Sequence, residues 1–448
     1  MRVEIDILDN VHTQIVKGAR IVGPCLSYPS SYFKQGLFAK EEIEYSKCLV
    51  KKGGYAYVGW LQRIHKFCSL RNIPIQINGA VERIDPVRPP QLPGIEFRPD
   101  QLDLIEKAVK RNGVVVSPTG SGKTVLALGL ISAYPRCQVL FLCPNLTIMK
   151  QTATKLRQFG FRSVCSVGEG RKDINADIVV STIQTFSRLD LLGLAGRFDI
   201  VVADEIHLAT RGQGTVEKIL SKILAPVRLG LTATLPESAE KRLVIEGVIG
   251  PVIGKLTIGE ARRLEILAEP RIELLTVPIS RETCRLRRYV DIYEEGIVAN
   301  STRNKVIAAR VERFVTEDKS VIVFAVKIEH LERISEALSD RKIRHAVVQG
   351  STGGQEREEL RQSVEKGEVK AVVSSVVWRE GVDIPSLGGI IFAGGHKAET
   401  PVIQACGRAL RRTKDKDTAV IVDLLDPYRY LAEHAVARLQ VYVKMGWL

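Results

Sequence analysis

The run Ser117-Pro118-Thr119-Gly120-Ser121-Gly122-Lys123-Thr124 has the composition of a phosphate cradle. Glycines let backbone N–H groups approach a polyphosphate closely, and a helix opening behind them adds the positive end of its dipole. In that pattern Lys123 reaches the outer phosphates of a triphosphate, and the Thr124 hydroxyl binds Mg²⁺. Ser117 stands where the strict pattern has glycine. The apolar run Gly113–Val116 before the cradle and the stretch Val125–Tyr134 after it supply the strand and helix that the motif needs. A cradle of this kind also needs an acidic partner. Ile200-Val201-Val202-Ala203-Asp204-Glu205-Ile206-His207 places two carboxylates at the end of an apolar strand, where ligands sit in open α/β sheets. Asp204 then holds Mg²⁺ through water, and Glu205 orients or deprotonates the attacking water. Adjacent carboxylates at a strand end also serve as plain helix caps; the cradle nearby favours the chemical reading.

The elements that position these groups follow from hydrophobic patterning. After residue 95, short apolar runs alternate with helix-length amphipathic segments: 113–116, 139–143, 178–180 and 200–203, then 272–276, 321–324, 371–374, 390–392 and 419–423. That alternation predicts two successive α/β units, each a parallel sheet flanked by helices. The Pro-rich stretch Pro86–Gly94 reads as a semi-rigid linker. Before it, Val3, Ile5 and Ile7 alternate as in a half-buried strand, and Cys48–Val58 reads as two strands about a tight glycine turn. Trp60, Ile64, Phe67 and Cys68 follow at helical spacing. The expected organisation is a small α+β domain over 1–92, a first catalytic domain over 93–268 and a second over 269–448.

Composition narrows the class. The 448 residues carry a net charge of +14, with 45% hydrophobic and 26% charged residues. This is an ordinary globular balance with a basic surface suited to a polyanion, nucleic acid before an anionic membrane. The eight cysteines show neither CxxC spacing nor a nearby histidine cluster, so no zinc site or disulfide framework is expected. The N-terminus lacks the apolar core of a signal peptide, and no uncharged apolar run reaches membrane-spanning length. A cytoplasmic protein, with no membrane partner, is the expectation.

With these residues in view, the chain resembles the superfamily 2 helicases of the DExH branch. Ser117–Thr124, Asp204-Glu205-Ile206-His207 and Thr232-Ala233-Thr234 are similar to their motifs I, II and III. Phe97-Arg98-Pro99-Asp100-Gln101 resembles the adenine-reading segment, which implies that Gln101 contacts the base. Pro144-Asn145 and Ser181-Thr182-Ile183-Gln184 resemble motifs Ia and Ib, and Ser374-Ser375 through Glu380-Gly381-Val382-Asp383 resembles motif V. Gln404-Ala405-Cys406-Gly407-Arg408-Ala409-Leu410-Arg411-Arg412 resembles motif VI. Phe324 and Gly350–Arg357 match the family's intervening segments.

The resemblance spans roughly residues 95–425 and implies two tandem RecA-like domains. It also implies ATP with Mg²⁺, catalysis by Lys123, Asp204, Glu205, Gln404, Arg408 and Arg411, and nucleotide contacts from Gly381 and Asp383. His207, Thr232 and Thr234 would couple the ATP site to the track. Pro144, Asn145, Ser181, Thr182, Gln184 and Ser375 would touch nucleic acid. Guanidinium groups stabilise a dissociative phosphoryl transition state by about 10³–10⁵ in rate. Arg408 and Arg411 could do so only when the two units close around one nucleotide; Arg412 reads equally as a solvated helix end.

Within the superfamily the chain is most similar to the compact UvsW/XPB/RecG-like DNA helicases, with a size that resembles phage-encoded members. The features are the interval after motif III, the segment Tyr293–Asn304 and the small N-terminal module. This implies forked, branched or duplex DNA as partner, RNA being less favoured, and a monomer. An RNA helicase, the motor subunit of a restriction complex and an ATP-gated clamp are the alternatives. In the N-terminal module, Lys51, Lys52, Arg63, Lys66 and Arg71 interleave with Tyr55, Tyr57 and Trp60. These could stack on bases and neutralise phosphates, or be core residues beneath a solvated surface. Arg285, Arg287 and Arg288 form a second basic cluster, either lining the track or solvated.

Overall fold

The computed structural model describes residues 2–35, 40–171, 173–207, 215–375, 384, 386–395, 412 and 416–448. The chain divides into two compact units, Met1–Ser117 with Gly122–Leu256 and Pro118–Ser121 with Thr257–Leu448. The first opens with strands β1 (Val3–Ile7), β2 (His12–Lys17), β3 (Ser27–Gln35), β4 (Lys40–Cys48), β5 (Tyr55–Tyr57) and β6 (Ile75–Asn78). Four of them form a sheet in the order β5-β2-β1-β6, while β3 and β4 make a separate antiparallel hairpin with Ser27 opposite Cys48. Alternation buries Val3 and Ile5 of β1 and Thr13 and Ile15 of β2 on one face, as the sequence pattern predicts.

One local expectation is corrected. Cys48 and Tyr55–Tyr57 do not pair across the glycine turn: Cys48 ends β4, and β5 pairs with β2, Tyr57 facing His12. Leu49 and Val50 pack on the core instead of extending a ladder.

The remainder of this unit is a seven-stranded, wholly parallel sheet: β7 (Gly113–Val116), β8 (Val139–Cys143), β9 (Val164–Val167), β10 (Ile178–Thr182), β11 (Ile200–Ala203), β12 (Val227–Thr232) and β13 (Val252–Lys255). Their order is β13-β7-β12-β11-β8-β10-β9. Strands β7, β8, β10, β11 and β12 are buried along their whole length, because helices cover both faces. That is why they read as unbroken apolar runs rather than alternating ones. The order matters for chemistry. It sets the ends of β7, β12 and β11 side by side, so the residues that follow them share one edge of the sheet.

The small N-terminal sheet is fastened to the large one through the helix Ala239–Val248. Trp60 is wholly buried and its Nε1–H donates to Leu243 O at 2.7 Å, while Tyr57 Oη donates to Glu217 Oε1 at 2.8 Å. Arg63 grips Glu246 with two N–H groups, at 2.9 and 2.6 Å. Backbones meet so closely that a Cβ on Gly59 would lie 2.0 Å from Glu246 O, which explains glycine there. Tyr57 and Trp60 are therefore committed to this interface and are not free to face nucleic acid, while Arg63, paired across it, stays exposed. Lys52, Lys66 and Tyr55 remain exposed. The Pro-rich segment is not a free spacer either. Val87 N donates to Ala133 O, Arg88 Nε to Ser132 O and Gln91 N to Ser132 Oγ, and Leu92 is buried.

The second unit holds a six-stranded parallel sheet: β14 (Glu269–Thr276), β15 (Ser320–Phe324), β16 (His345–Val348), β17 (Ala371–Ser374), β18 (Leu387–Phe392) and β19 (Thr418–Leu425), in the order β14-β19-β18-β15-β17-β16. Helices Ser301–Thr316, Ile328–Asp340 and Arg429–Lys444 pack on it, through Ile307, Val311, Leu331, Ile334 and Leu338 among others. Two ion pairs are buried at the carboxyl ends of its central strands. Arg438 holds Asp423 through Nε at 2.8 Å, with Tyr442 Oη donating to the same carboxylate at 2.8 Å. Arg303 pairs with Asp426 and donates from Nη2 to Ala393 O at 2.9 Å. Both sheets are flanked by helices, giving tandem RecA-like domains preceded by an α+β region. Among the described residues no helix is long and apolar enough to cross a membrane.

Candidate active site

The phosphate cradle follows β7 directly. Ser117 N–H donates to Thr232 O at 2.9 Å, which fixes the start of the loop against β12. Gly120 and Gly122 both take positive φ, 86° and 96°. At Gly122 a Cβ would lie 2.6 Å from Gln101 Nε2, so any larger residue would displace this buried amide. The helix Lys123–Ser132 then starts without a side-chain cap, leaving its first N–H groups for a ligand. It begins two residues earlier than the sequence pattern suggests, which brings Lys123 and Thr124 into its first turn.

Gln101 is held by a capping box. Its Oε1 accepts from Arg98 N at 3.2 Å, at the start of the helix Pro99–Lys110. Arg98 is clamped by Asp100 through two bonds of 2.9 Å. Its guanidinium ends 3.8 Å from where a Gly122 side chain would begin, so Arg98 joins the cradle as a cation. The sequence reading did not assign it a role; the signal was its place beside Gln101.

The two carboxylates lie at the end of β11, one strand removed from the cradle. Lys123 Nζ is 3.3 Å from Glu205 Oε1 and donates to Ser117 O at 3.2 Å. Glu205 adopts φ +46°, a left-handed conformation rare for a non-glycine residue, and Ile206 N donates to Leu231 O. Strain of this kind persists where the surroundings over-determine it. Asp204 is buried; burial and the adjoining Glu205 carboxylate push its pKa up, against the pull of Lys123. Burial would raise Glu205 as well, yet Lys123 and His207 outweigh it and hold this carboxyl below the usual carboxylate range. One carboxyl thus stays ionised beside the lysine. No cation among the described residues lies within ion-pair distance of the other, which fits a divalent ion bound at Asp204 with the Thr124 hydroxyl.

Polar contacts lead away from this pair, although Glu205 Oε2 itself has no hydrogen-bond partner among the described residues. His207 Nδ1 lies 3.3 Å from Glu205 Oε2 and 2.7 Å from Thr232 Oγ1. Thr232 Oγ1 donates its only proton to Thr234 O at 2.6 Å, so it must accept from His207, which fixes the proton on Nδ1. Residues Lys123, Glu205, His207, Thr232 and Thr234 therefore form one continuous polar path along the sheet edge.

The remaining candidates are placed variously. Asn145 caps the helix Leu146–Gln158, accepting from Ile148 N at 3.0 Å, and Pro144 is half-buried beside it. Thr182 caps the next turn by accepting from Thr185 N. Ser181 is wholly buried with its hydroxyl on Val167 O, so it can act on a strand only by placing its neighbours, whereas Gln184 is exposed. Ser375 is buried at the end of β17, its N–H on Val348 O. Arg412 is paired with Glu265 at 2.8 Å and Asp417 at 3.0 Å, which answers its open role in favour of a structural tie. Gly381, Asp383, Gln404, Arg408 and Arg411 lie outside the described residues.

Comparison with known proteins agrees with this geometry. Residues 94–237 match the family "Type III restriction enzyme, res subunit", and residues 304–413 match "Helicase conserved C-terminal domain". The DNA 3'-5' translocase XPB2 of Sulfurisphaera tokodaii is 26% identical over 365 residues, covering 73% of this chain and 81% of that protein. The ATP-dependent DNA helicase uvsW of Enterobacteria phage T4 is 24% identical, covering 76% of this chain and 73% of that protein. Among solved structures, the helicase MrfA bound to DNA and AMPPNP superposes with a TM-score of 0.60 at 18% identity, over 81% of this chain and 55% of that one.

Proposed function

Because the chain belongs to the superfamily 2 helicases, we propose that it is an ATP-driven motor on DNA, acting on forked or branched substrates. One observation supports the reading above the others: the path from Lys123 through Glu205 and His207 to Thr232 and Thr234. It joins the group that grips the outer phosphates to a strand end that a nucleic-acid track could sense. The relatives XPB2 and uvsW carry DNA in their names, and the charge of +14 suits a polyanionic track.

In this proposal Ser117, Thr119, Gly120, Ser121 and Gly122 wrap the triphosphate, Gln101 reads the base, and Lys123 neutralises the outer phosphates. Thr124 and Asp204 would hold Mg²⁺, which when bound supplies charge neutralisation across the phosphates. Glu205, ionised and fixed by Lys123, accepts the proton of the attacking water. Gly381, Asp383, Gln404, Arg408 and Arg411 complete the nucleotide site from the second domain. Pro144, Asn145, Thr182, Gln184 and Ser375 order the strand, Ser181 supporting them from within. The domains of this proposal are 1–92, 93–268 and 269–448, the first being an accessory to the second.

The test is one ATPase and unwinding assay on fork, Holliday-junction, duplex, single-stranded and RNA substrates. Stimulation greatest on forked or branched DNA is expected. Stimulation by RNA alone would replace DNA with RNA in this proposal, and hydrolysis indifferent to every polynucleotide would end it.

A further inference from the structure

The basic cluster at 285–288 sits against an aromatic corner that the nucleotide site does not use. Tyr289 and Tyr430 are 41% and 42% exposed, and their rings meet edge to face at 6.0 Å with 81° between planes. His434 lies 5.7 Å from Tyr289, and Tyr293 backs it from the buried side at 5.9 Å. The corner is rigid underneath. Tyr293 Oη donates to Gly394 O at 2.7 Å, His434 Nδ1 is 3.1 Å from Gly395 O, and Tyr428 Oη donates to Cys284 O. These bonds lash the helices Tyr289–Tyr293 and Arg429–Lys444 to the end of β18.

In the segments that carry the corner, Arg281, Arg285, Arg287, Arg288 and Arg429 stand beside Glu282, Asp291, Glu294, Glu295 and Glu433, and Lys327, 5.6 Å from the Tyr293 ring, pairs with Glu294. Asp291 is occupied by Arg288. Arg285, Arg287 and Arg429 have no carboxylate within ion-pair distance among the described residues, and Arg429 lies over the Tyr428 ring, 5.3 Å from its centroid. Two exposed aromatic faces at a right angle, held from beneath and bordered by unneutralised guanidinium groups, match the needs of one unpaired nucleotide. A base can stack on one ring against the edge of the other while arginines take the flanking phosphates.

We propose that Tyr289 and Tyr430, with Arg285, Arg287 and Arg429, form a second DNA-binding surface that captures an unpaired base of the substrate. The proposal rests on the DNA-motor reading above. It is tested by titrating the full chain with a blunt duplex and with a fork carrying 2-aminopurine in one single-stranded arm. In Tyr289→Ala and Tyr430→Ala, affinity for the fork should fall about tenfold, the size of one lost stacking contact, with no comparable loss on the blunt duplex. Tyr289→Phe should keep wild-type affinity, and Arg287→Ala should lower the slope of log affinity against log salt by about one. Unchanged fork affinity in both alanine variants, or an equal loss on the blunt duplex, would overturn the surface. Wild-type protein whose hydrolysis ignores DNA would instead sink the motor reading itself, so the two failures are distinguishable.

Discussion

The two parallel sheets bury charge at the same place, the carboxyl ends of their central strands, with opposite results. In the second, Arg438 closes on Asp423 and Tyr442, while Arg303 pairs with Asp426 and the Ala393 carbonyl but leaves Asp426 Oδ2 buried without a hydrogen-bond partner among the described residues. In the first, Lys123 meets Glu205, no cation among the described residues lies within ion-pair distance of Asp204, and burial beside Glu205 raises the Asp204 carboxyl. A closed network specifies a structure; an open one waits for a ligand. Buried charge closed on its partners, as at Arg438 and Asp423, fits a scaffold, whereas the open pair Asp204 and Glu205 fits the proposed nucleotide site.

Substitutions can break or sharpen that contrast. The largest effect is expected for Lys123→Ala, which should leave no measurable turnover in an ATPase assay while the protein stays folded by circular dichroism. Normal hydrolysis would remove the phosphate-site assignment. Glu205→Gln should retain ATP binding but lose about 10²–10⁴ in turnover, the usual worth of a general base; single-turnover kinetics would show the split. In the closed network the loss should be of stability instead. Arg438→Ala strands Asp423 as a buried charge and should cost about 3–5 kcal/mol in urea unfolding, whereas Arg438→Met combined with Asp423→Leu should recover most of it. If the double replacement were as damaging as the single one, the second network would be doing more than holding shape.

Arg411→Ala should slow hydrolysis at least tenfold without weakening ATP binding, as expected for a lost arginine finger. An unchanged turnover number would refute that role.

The smallest effect concerns His330, buried on the helix Ile328–Asp340 with Nε2 3.1 Å from Asn304 Oδ1. Burial, reinforced by Arg303, lowers its pKa from 6.5 to about 3. The unfolded chain therefore binds a proton that the folded one refuses, so stability is full above about pH 6.5 and declines as pH falls toward 3. The slope from this group is at most about 1.4 kcal/mol per pH unit. His330→Gln should flatten the change in urea midpoint between pH 7 and pH 5; an unaltered dependence would place the proton elsewhere.

Much of this was legible in the sequence, for definable reasons. Strands buried on both faces, such as Ile200–Ala203 and Val139–Cys143, announce themselves as apolar runs. The candidate phosphate cradle is local, so eight consecutive residues carry that expectation. The hairpin Ser27–Cys48 was not legible, because its pairing is set by contacts to Leu26 and the core rather than by the glycine turn after it. Nor was the pairing of Trp60 and Arg63, whose partners Leu243 and Glu246 lie 183 residues away. An amphipathic aromatic near basic residues looks the same in sequence whether it faces a base or a neighbouring helix. The pairs Arg303–Asp426 and Arg438–Asp423 were hidden likewise, since periodicity reports which face is apolar and not which charges meet beneath it.

The glycine-mediated weld at Gly59 has a mechanical consequence. A backbone seated that closely on Glu246 leaves no room for a hinge, so whatever the small sheet holds must ride with the nucleotide-binding sheet through every turn of the cycle. Cargo gripped by its outer face would be carried a fixed distance, like a foot bolted to its leg.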